Sequence, residues 1–428
     1  MLEEIYQAFL SCNQNITTDT RKISEGCIFF ALKGPNFNGN KFASDAIKKG
    51  AAYVVIDEEN IELKNKSFLV QDVLTTLQKL SNYHRKQFNI PVIGITGTNG
   101  KTTTKELIGE VLKAKYNTLI TEGNLNNHIG VPLTLLKLNS EHEMAVIEMG
   151  ASKRGDIKEL VEIADPDYGI ITNIGKAHLE GFGSTETIKK TKMEMYDYIL
   201  NKDGKIIYNL DDSILTEAIN QPENHFGYGH SNGHVSGKVI DFHPTIELEI
   251  NYRDRKQNLK TALLGDFNLY NILCAATVGY IFQIESELIN KSLQSYTPSN
   301  HRSQLIKTKT NTIIADCYNA NPTSTLAALK SLSSMNAENK IAILGDMLEL
   351  GENEYKEHED IVLFLKENNI NGLLVGSIFS NIKCNFPTFE KVEFILTYLE
   401  NMSYINSTIL IKGSRGIKLE KIIEHQIL

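Results

Sequence analysis

Lys101 is the residue around which reactive side chains gather in this sequence. It stands in Gly94-Ile-Thr-Gly-Thr-Asn-Gly-Lys-Thr-Thr-Thr104, where the apolar run VIGIT passes into Gly97, Thr98, Asn99 and Gly100, and then into Lys101, Thr102 and Thr103. A glycine turn that opens a helix aims backbone N–H groups and the positive helix end at an anion. A lysine there suits β and γ phosphates, and the next hydroxyl suits Mg²⁺. The usual phosphate loop, GxxxxGK followed by Ser or Thr, would place glycine at position 95, where this chain has Ile95, so the loop is shortened. A glycine turn that only caps a helix is the plain alternative; Gly-Lys-Thr behind an apolar strand argues against it. Two further groups suit a magnesium–nucleotide site, which needs hard ligands. Glu148 closes the apolar run MAVIEMG, and His178 follows another in IITNIGKAHLEGFG. Each alone could be a solvated strand-end group. Together with the loop they point to one sheet edge.

The elements that must position these groups alternate. From Pro91 onward apolar strand-like runs alternate with helix-like segments, a pattern that builds a parallel sheet with ligands at its carboxyl ends. A second series of this kind begins near residue 302. The expectation is an α/β protein of three domains: a small N-terminal α/β domain (1–86), a central P-loop ATPase-type parallel-sheet domain (87–301) and a C-terminal Rossmann-like domain (302–428). A chain of 428 residues is too long for one core, which agrees. Between about 205 and 265 strand-like runs such as KVIDF and TIELEIN replace helices. A net charge of −8 and the lack of a basic stripe exclude a nucleic-acid surface. The first residues, MLEEIYQAFL, do not read as a secretory signal and no run reaches membrane-spanning length, so a cytoplasmic chain without membrane insertion is expected. Cys12, Cys27, Cys274, Cys317 and Cys384 lack any CxxC pairing and read as reduced structural thiols. His225, His230, His234 and His243 lie in glycine-rich turns without carboxylate or cysteine at ligand spacing, and read as turn residues rather than a metal site.

The loop TGTNGKTT resembles the shortened ATP loop of the Mur ligases, the amide-forming enzymes of peptidoglycan precursor synthesis. GNLNNHIGVPLTLL, IEMGAS, AHLEGFGS, DCYNANPTS, LGDMLELG, IKGSRG and the N-terminal TDTRKISEGCIFFALKG extend the resemblance nearly end to end. Within the family, NLNN, YNANP and GDMLELG resemble the member that acts on a dipeptide. The resemblance implies an ATP-dependent ligase adding D-alanyl-D-alanine to UDP-N-acetylmuramoyl-tripeptide through an acyl phosphate, with Mg²⁺ at two sites, working as a monomer. It implies that Thr102 and Glu148 hold one ion and that His178 holds the second with Lys192, carbamylated. It places Asn268 and Asn271 near the adenine, although Phe267 stands where the family has histidine. Arg302 and Asp316 would reach ATP from the third domain, and Tyr318 and Asn321 would line the same seam. Thr20, Arg21 and Lys33 become candidates for the uridine nucleotide, Asn126 and Asn127 for its sugar or peptide end. Asp346, Ser414 and Arg415 become candidates for the dipeptide.

Two rival readings stay open at this level. A folylpolyglutamate synthase or another muropeptide ligase shares the ATP chemistry, but TDTR and YNANP favour the dipeptide-adding branch. A nucleotide-operated switch would ask for an NKxD segment for guanine, and the chain has none.

Overall fold

The computed structural model describes residues 1–428 except 60–62, 64, 178, 220, 243, 254 and 403. By compactness the chain divides into two units. The first comprises 1–94, 116–150 and 155–168, the second 95–115, 151–154 and 169–428.

In the first unit the strands Ile16–Thr17, Ile28–Phe30, Tyr53–Ile56 and Ser67–Leu69 form a parallel sheet, with Ile28 opposite Tyr53 and Phe30 opposite Val55. Parallel strands covered on both faces read as continuous apolar runs, and IFF and YVVI do. Ile28, Phe30 and Val55 pack on Ile5, Phe9, Leu77 and Leu80 of the helices Leu2–Ser11 and Val73–Arg85. Phe29, Val54 and Ile56 pack on Ala43 and Ala46 on the other face. The second of those helices starts where Asp72 accepts the Thr75 N–H at 2.7 Å, capping an amide that has no partner in the first turn. The same unit holds the parallel pair Thr118–Ile120 and Met144–Glu148 and the helices Gly130–Leu135 and Asp156–Ala164.

In the second unit the helix Lys101–Lys113 follows the strand Val92–Thr96, as the glycine turn required. Lys205–Asn209, Phe226–Gly229 and Val235–Asp241 pair in parallel. The expected parallel sheet then gives way to an antiparallel meander, Val235–Asp241 with Thr245–Asn251 and Lys256–Leu264. The connections after Asp241 and Asn251 are a few residues long, as hairpins between antiparallel strands allow. Burial alternates strictly along Thr245–Asn251, so only one face meets the core. The C-terminal part is a six-stranded sheet in the order Gln304–Lys307, Thr312–Asp316, Ser407–Lys412, Asn339–Gly345, Asn371–Val375, Thr388–Phe389, parallel apart from the first pair. Apolar clusters cover both its faces, as in a Rossmann-like domain.

All five cysteines are free thiols. His225 accepts the Ile206 N–H, and His234 packs against Phe226, so both act within their turns; His243 lies outside the described residues. Among the described residues no helix is long and apolar enough to cross a membrane.

Candidate functional site

The loop is built so that only glycine fits at its start. Gly97 has φ +148°, and a Cβ there would lie 1.8 Å from Thr172 Oγ1. The turn is pinned by the segment after the strand Tyr168–Ile171. The Thr98 N–H donates to Asn173 O at 2.9 Å, and the Asn99 N–H to Asn173 Oδ1 at 3.0 Å. Asn99 O accepts from Thr172 Oγ1 at 2.6 Å and Asn173 Nδ2 at 2.9 Å. Gly97→Ala is therefore expected to cost at least about 2 kcal/mol and to spoil nucleotide binding, since strain and clash fall on the same atom. Thermal unfolding and calorimetric ADP binding check it; an unchanged affinity would mean the turn can shift without loss.

Two lysines converge on one carbonyl. Lys101 Nζ donates to Gly97 O at 2.7 Å and Thr98 O at 3.1 Å, and Lys192 Nζ donates to the same Gly97 O at 2.9 Å. Lys192 lies on the helix Thr185–Asn201, which Ser184 caps, and its side chain is buried. Burial, with the Lys101 charge adding to it, holds the Lys192 amine well below the usual lysine range.

Asn268 and Asn271 behave differently from the expectation of base contacts. Thr104 Oγ1 donates to Asn271 Oδ1 at 3.0 Å, Asn271 Nδ2 to Asn268 Oδ1 at 2.7 Å, and Asn268 Nδ2 to Leu264 O at 2.7 Å. Both side chains are buried and linked in this chain, which props the first turn of the phosphate-loop helix. A Cβ on Gly100 would lie 2.7 Å from Asn271 Oδ1, so the pair also sets the room available to the loop. Phe267 beside them is exposed.

The C-terminal sheet brings its own polar rim to the loop. Asn321 caps the helix Pro322–Ser334 and donates its Nδ2 to Asn99 Oδ1 at 2.8 Å. Asp316 ends its strand; Oδ1 accepts the Ser303 N–H at 3.0 Å and Oδ2 takes the Lys412 ammonium at 2.7 Å. The Arg302 guanidinium lies 3.6 Å over the Tyr318 ring centre, and Arg415 lies 5.5 Å from it. Lys176 pairs with Glu357 at 2.9 Å and the Glu180 N–H donates to Glu349 O at 3.2 Å, on either side of position 178. His178 itself lies outside the described residues.

Asp346 is a helix cap here. Its carboxylate is buried and accepts the N–H groups of Ile378 and Phe379 at 2.9 and 3.0 Å. Burial pushes its carboxyl up. His358 beside it is neutral: Nδ1 donates to Glu354 O at 2.6 Å while Nε2 accepts the Met347 N–H at 2.9 Å, and burial holds its pKa below the usual histidine value. Ser414 Oγ accepts the Leu348 N–H at 2.9 Å and is buried, whereas Arg415 is exposed.

In the first unit, Glu148 is buried at its strand end and accepts from Asn126 Nδ2 at 2.8 Å. Asn127 Oδ1 takes the N–H groups of Ile129 and Gly130 at the start of the helix Gly130–Leu135. Arg21 forks onto Asp19, which holds the Asp19 carboxyl at about 2. Lys33 bridges Asp57 and Glu58 at 2.8 and 3.2 Å, and Thr20 gives its carbonyl to Lys49. Sequence reasoning did not single out Thr172, Asn173 or Lys412. The signal was present, since each ends an apolar strand run, but many strand ends are polar.

Comparison with known proteins agrees with this geometry. Mur ligase family, catalytic domain, matches residues 14–99; the Mur ligase middle domain matches 95–279; the Mur ligase glutamate ligase domain matches 301–415. The UDP-N-acetylmuramoyl-tripeptide–D-alanyl-D-alanine ligase of Bacillus subtilis is 36% identical over 427 residues, covering 96% of this chain and 93% of that protein. The chain belongs to the Mur ligase family. The Mur ligase of the same description from Escherichia coli is 31% identical over 420 residues, covering 95% and 92% of the two chains. Among solved structures, MurF of Acinetobacter baumannii superposes with a TM-score of 0.88 at 29% identity, covering 99% of this chain and 98% of that one. The MurF ligase of Thermotoga maritima in complex with ADP gives 0.87 at 28% identity, covering 97% of each. The three-domain Mur ligase architecture read from the sequence is therefore the architecture of this chain.

Proposed function

We propose that this Mur ligase joins D-alanyl-D-alanine to UDP-N-acetylmuramoyl-tripeptide, cleaving ATP to ADP and phosphate. The observation that carries the chemistry is the Gly97 carbonyl held between a cationic Lys101 and a Lys192 amine forced toward neutrality, inside a loop bonded to Asn321 of the C-terminal sheet. A tripeptide carboxylate oxygen bonds to the γ phosphorus as the bond to the β-phosphate oxygen breaks, its electron pair leaving with ADP. The dipeptide amine then bonds to the acyl carbon, phosphate departs and the amine gives up its proton. Attack by one anion on another needs charge screening and alignment more than covalent help.

Gly97 to Thr103 serve the phosphates, with the Lys101 ammonium screening the β and γ charges. The hydroxyl of Thr102, the carboxylate of Glu148 and a carbamate on Lys192 would be hard oxygen donors for magnesium, with the His178 imidazole as a nitrogen donor; an unmodified Lys192 would not fit it. Magnesium, when bound at its two sites, offsets the negative charge that develops on the transferring phosphoryl group. Arg302, Asp316, Tyr318 and Asn321 serve the nucleotide, and Asn268 and Asn271 act through the loop helix. Arg415 meets the dipeptide carboxylate, a role its exposed fork suits better than the occupied Asp346 and Ser414. Thr20, Arg21 and Lys33 serve the uridine nucleotide, and Asn126 and Asn127 its sugar or peptide end. The domain limits 1–86, 87–301 and 302–428, a monomeric state and a cytoplasmic location complete the reading.

Phosphate release should require UDP-N-acetylmuramoyl-tripeptide and D-Ala-D-Ala together, with either alone giving under a tenth of the rate. Equal release with glutamate or other amino acids would assign the chain to another branch of the family.

A further inference from the structure

We infer that Lys412 is a positioning residue for nucleotide binding: it holds Asp316 and the 319–321 turn in place without touching substrate itself. The inference rests on the nucleotide reading of Asp316 and Asn321.

Asp316 and Lys412 are register partners at the carboxyl ends of adjacent parallel strands, so the two side chains leave the sheet side by side. The lysine is buried, with its side chain 3% exposed. Its ammonium lies 2.7 Å from Asp316 Oδ2 and donates to Asn319 O at 3.1 Å. A buried cation at a sheet rim persists only when its partners are fixed, and here one of them, the Asn319 carbonyl, belongs to the turn that meets the phosphate loop through Asn321. Through Asn319 the lysine anchors the turn from which Asn321 reaches Asn99 at 2.8 Å. Through Asp316 it anchors the linker into the C-terminal sheet, because Oδ1 holds the Ser303 N–H at 3.0 Å.

That linker is strained. Asn300, His301 and Ser303 all have left-handed φ, at 57°, 55° and 51°, and none is glycine. Such a run persists only where neighbours hold it. Without the lysine, Asp316 loses its ion-pair partner, and the linker and the turn lose their common anchor. Lys412 therefore sets where Asp316 and Asn321 meet a nucleotide.

The test uses the full chain with K412M, which keeps length and loses charge, and K412R, which keeps charge. K412M should raise the ADP dissociation constant and the KM for ATP about tenfold or more, leave the KM for the UDP-tripeptide within twofold, and be largely rescued in K412R. K412M combined with D316N should bind ADP no more weakly than D316N alone. A K412M protein that only melts earlier, with ADP affinity unchanged, overturns the inference, as does a fully additive double variant. If K412M does not fold, K412Q, which keeps a donor for Asn319 but no charge for Asp316, is read against the same two outcomes. Failure of the underlying reading shows separately, as a wild-type chain that does not bind ADP at all, and overturns both.

Discussion

Lys101→Ala is expected to lower ATP-dependent phosphate release by about three orders of magnitude while the fold survives. Removing one preorganised donor from a charge-stabilising site costs on the order of 10²–10³ in rate, and Lys101 is both a donor and the fixed cation of the loop. The loop itself keeps its shape by other means. Asn173 and Thr172 hold Thr98 and Asn99, and Gly97 O retains the Lys192 amine at 2.9 Å. The melting temperature should consequently move by only a few degrees. Circular dichroism against temperature, alongside phosphate release with both substrates present, separates the two effects. Activity within tenfold of wild type would show that the shortened loop is not the phosphate cradle.

Lys192→Met should separate stability from activity in opposite directions. The folded amine has a pKa well below the ordinary lysine value of 10.5, while the unfolded chain returns to that value. Between the folded and the unfolded pKa, the unfolded chain carries a proton that the folded chain lacks. Stability therefore rises with pH through that interval and is reduced at neutral pH. Replacing the amine by a thioether of similar length removes that slope, so the variant should melt higher than wild type near neutrality. The two should converge as pH approaches 10.5. Gly97 O keeps Lys101 as a donor, so no buried carbonyl is orphaned.

The same substitution should cost activity at least about 100-fold, because a carbamate can no longer form to support metal binding. Carbamylation joins the neutral amine nitrogen to CO₂ with loss of one proton, converting a neutral side chain to an anionic one. Wild-type activity should accordingly fall in bicarbonate-free buffer, fall on acidification as the amine protonates, and return on adding bicarbonate. Carbon-13 bicarbonate should give a carbamate resonance in wild type that is absent from Lys192→Met. A variant with full activity, or one whose stability follows wild type at every pH, would show that the amine stays charged and takes no part.

These two residues also mark how far the sequence could be read. Lys101 was legible because its partners are its own neighbours: the glycine turn, the apolar strand before it and the helix after it are contiguous, and local chain stereochemistry dictates how they aim. The alternation of strands and helices followed from the same kind of local information, as did the three-domain division and the reduced cysteines. Even the meander after residue 235 showed in its strand-like runs, although its antiparallel pairing did not, since pairing depends on partners from separate segments.

Lys192 stands among three lysines close together in the sequence, and only the resemblance to the Mur ligases singled it out as a ligand. Only tertiary structure sets it beside Gly97, ninety-five residues away, where burial, with the Lys101 charge adding to it, lowers its pKa. Asn268 and Asn271 carried the right letters for a base contact, yet packing turns their amides inward to prop the loop helix. Asp346 was expected to meet substrate and instead caps a helix more than thirty residues further on. Lys412 gave no sign beyond ending an apolar strand, until sheet register set it opposite Asp316. By itself the sequence determined which groups could do the chemistry. Which of them are buried, paired or neutral was decided by the fold, because solvent exclusion and charge proximity are properties of three-dimensional neighbours.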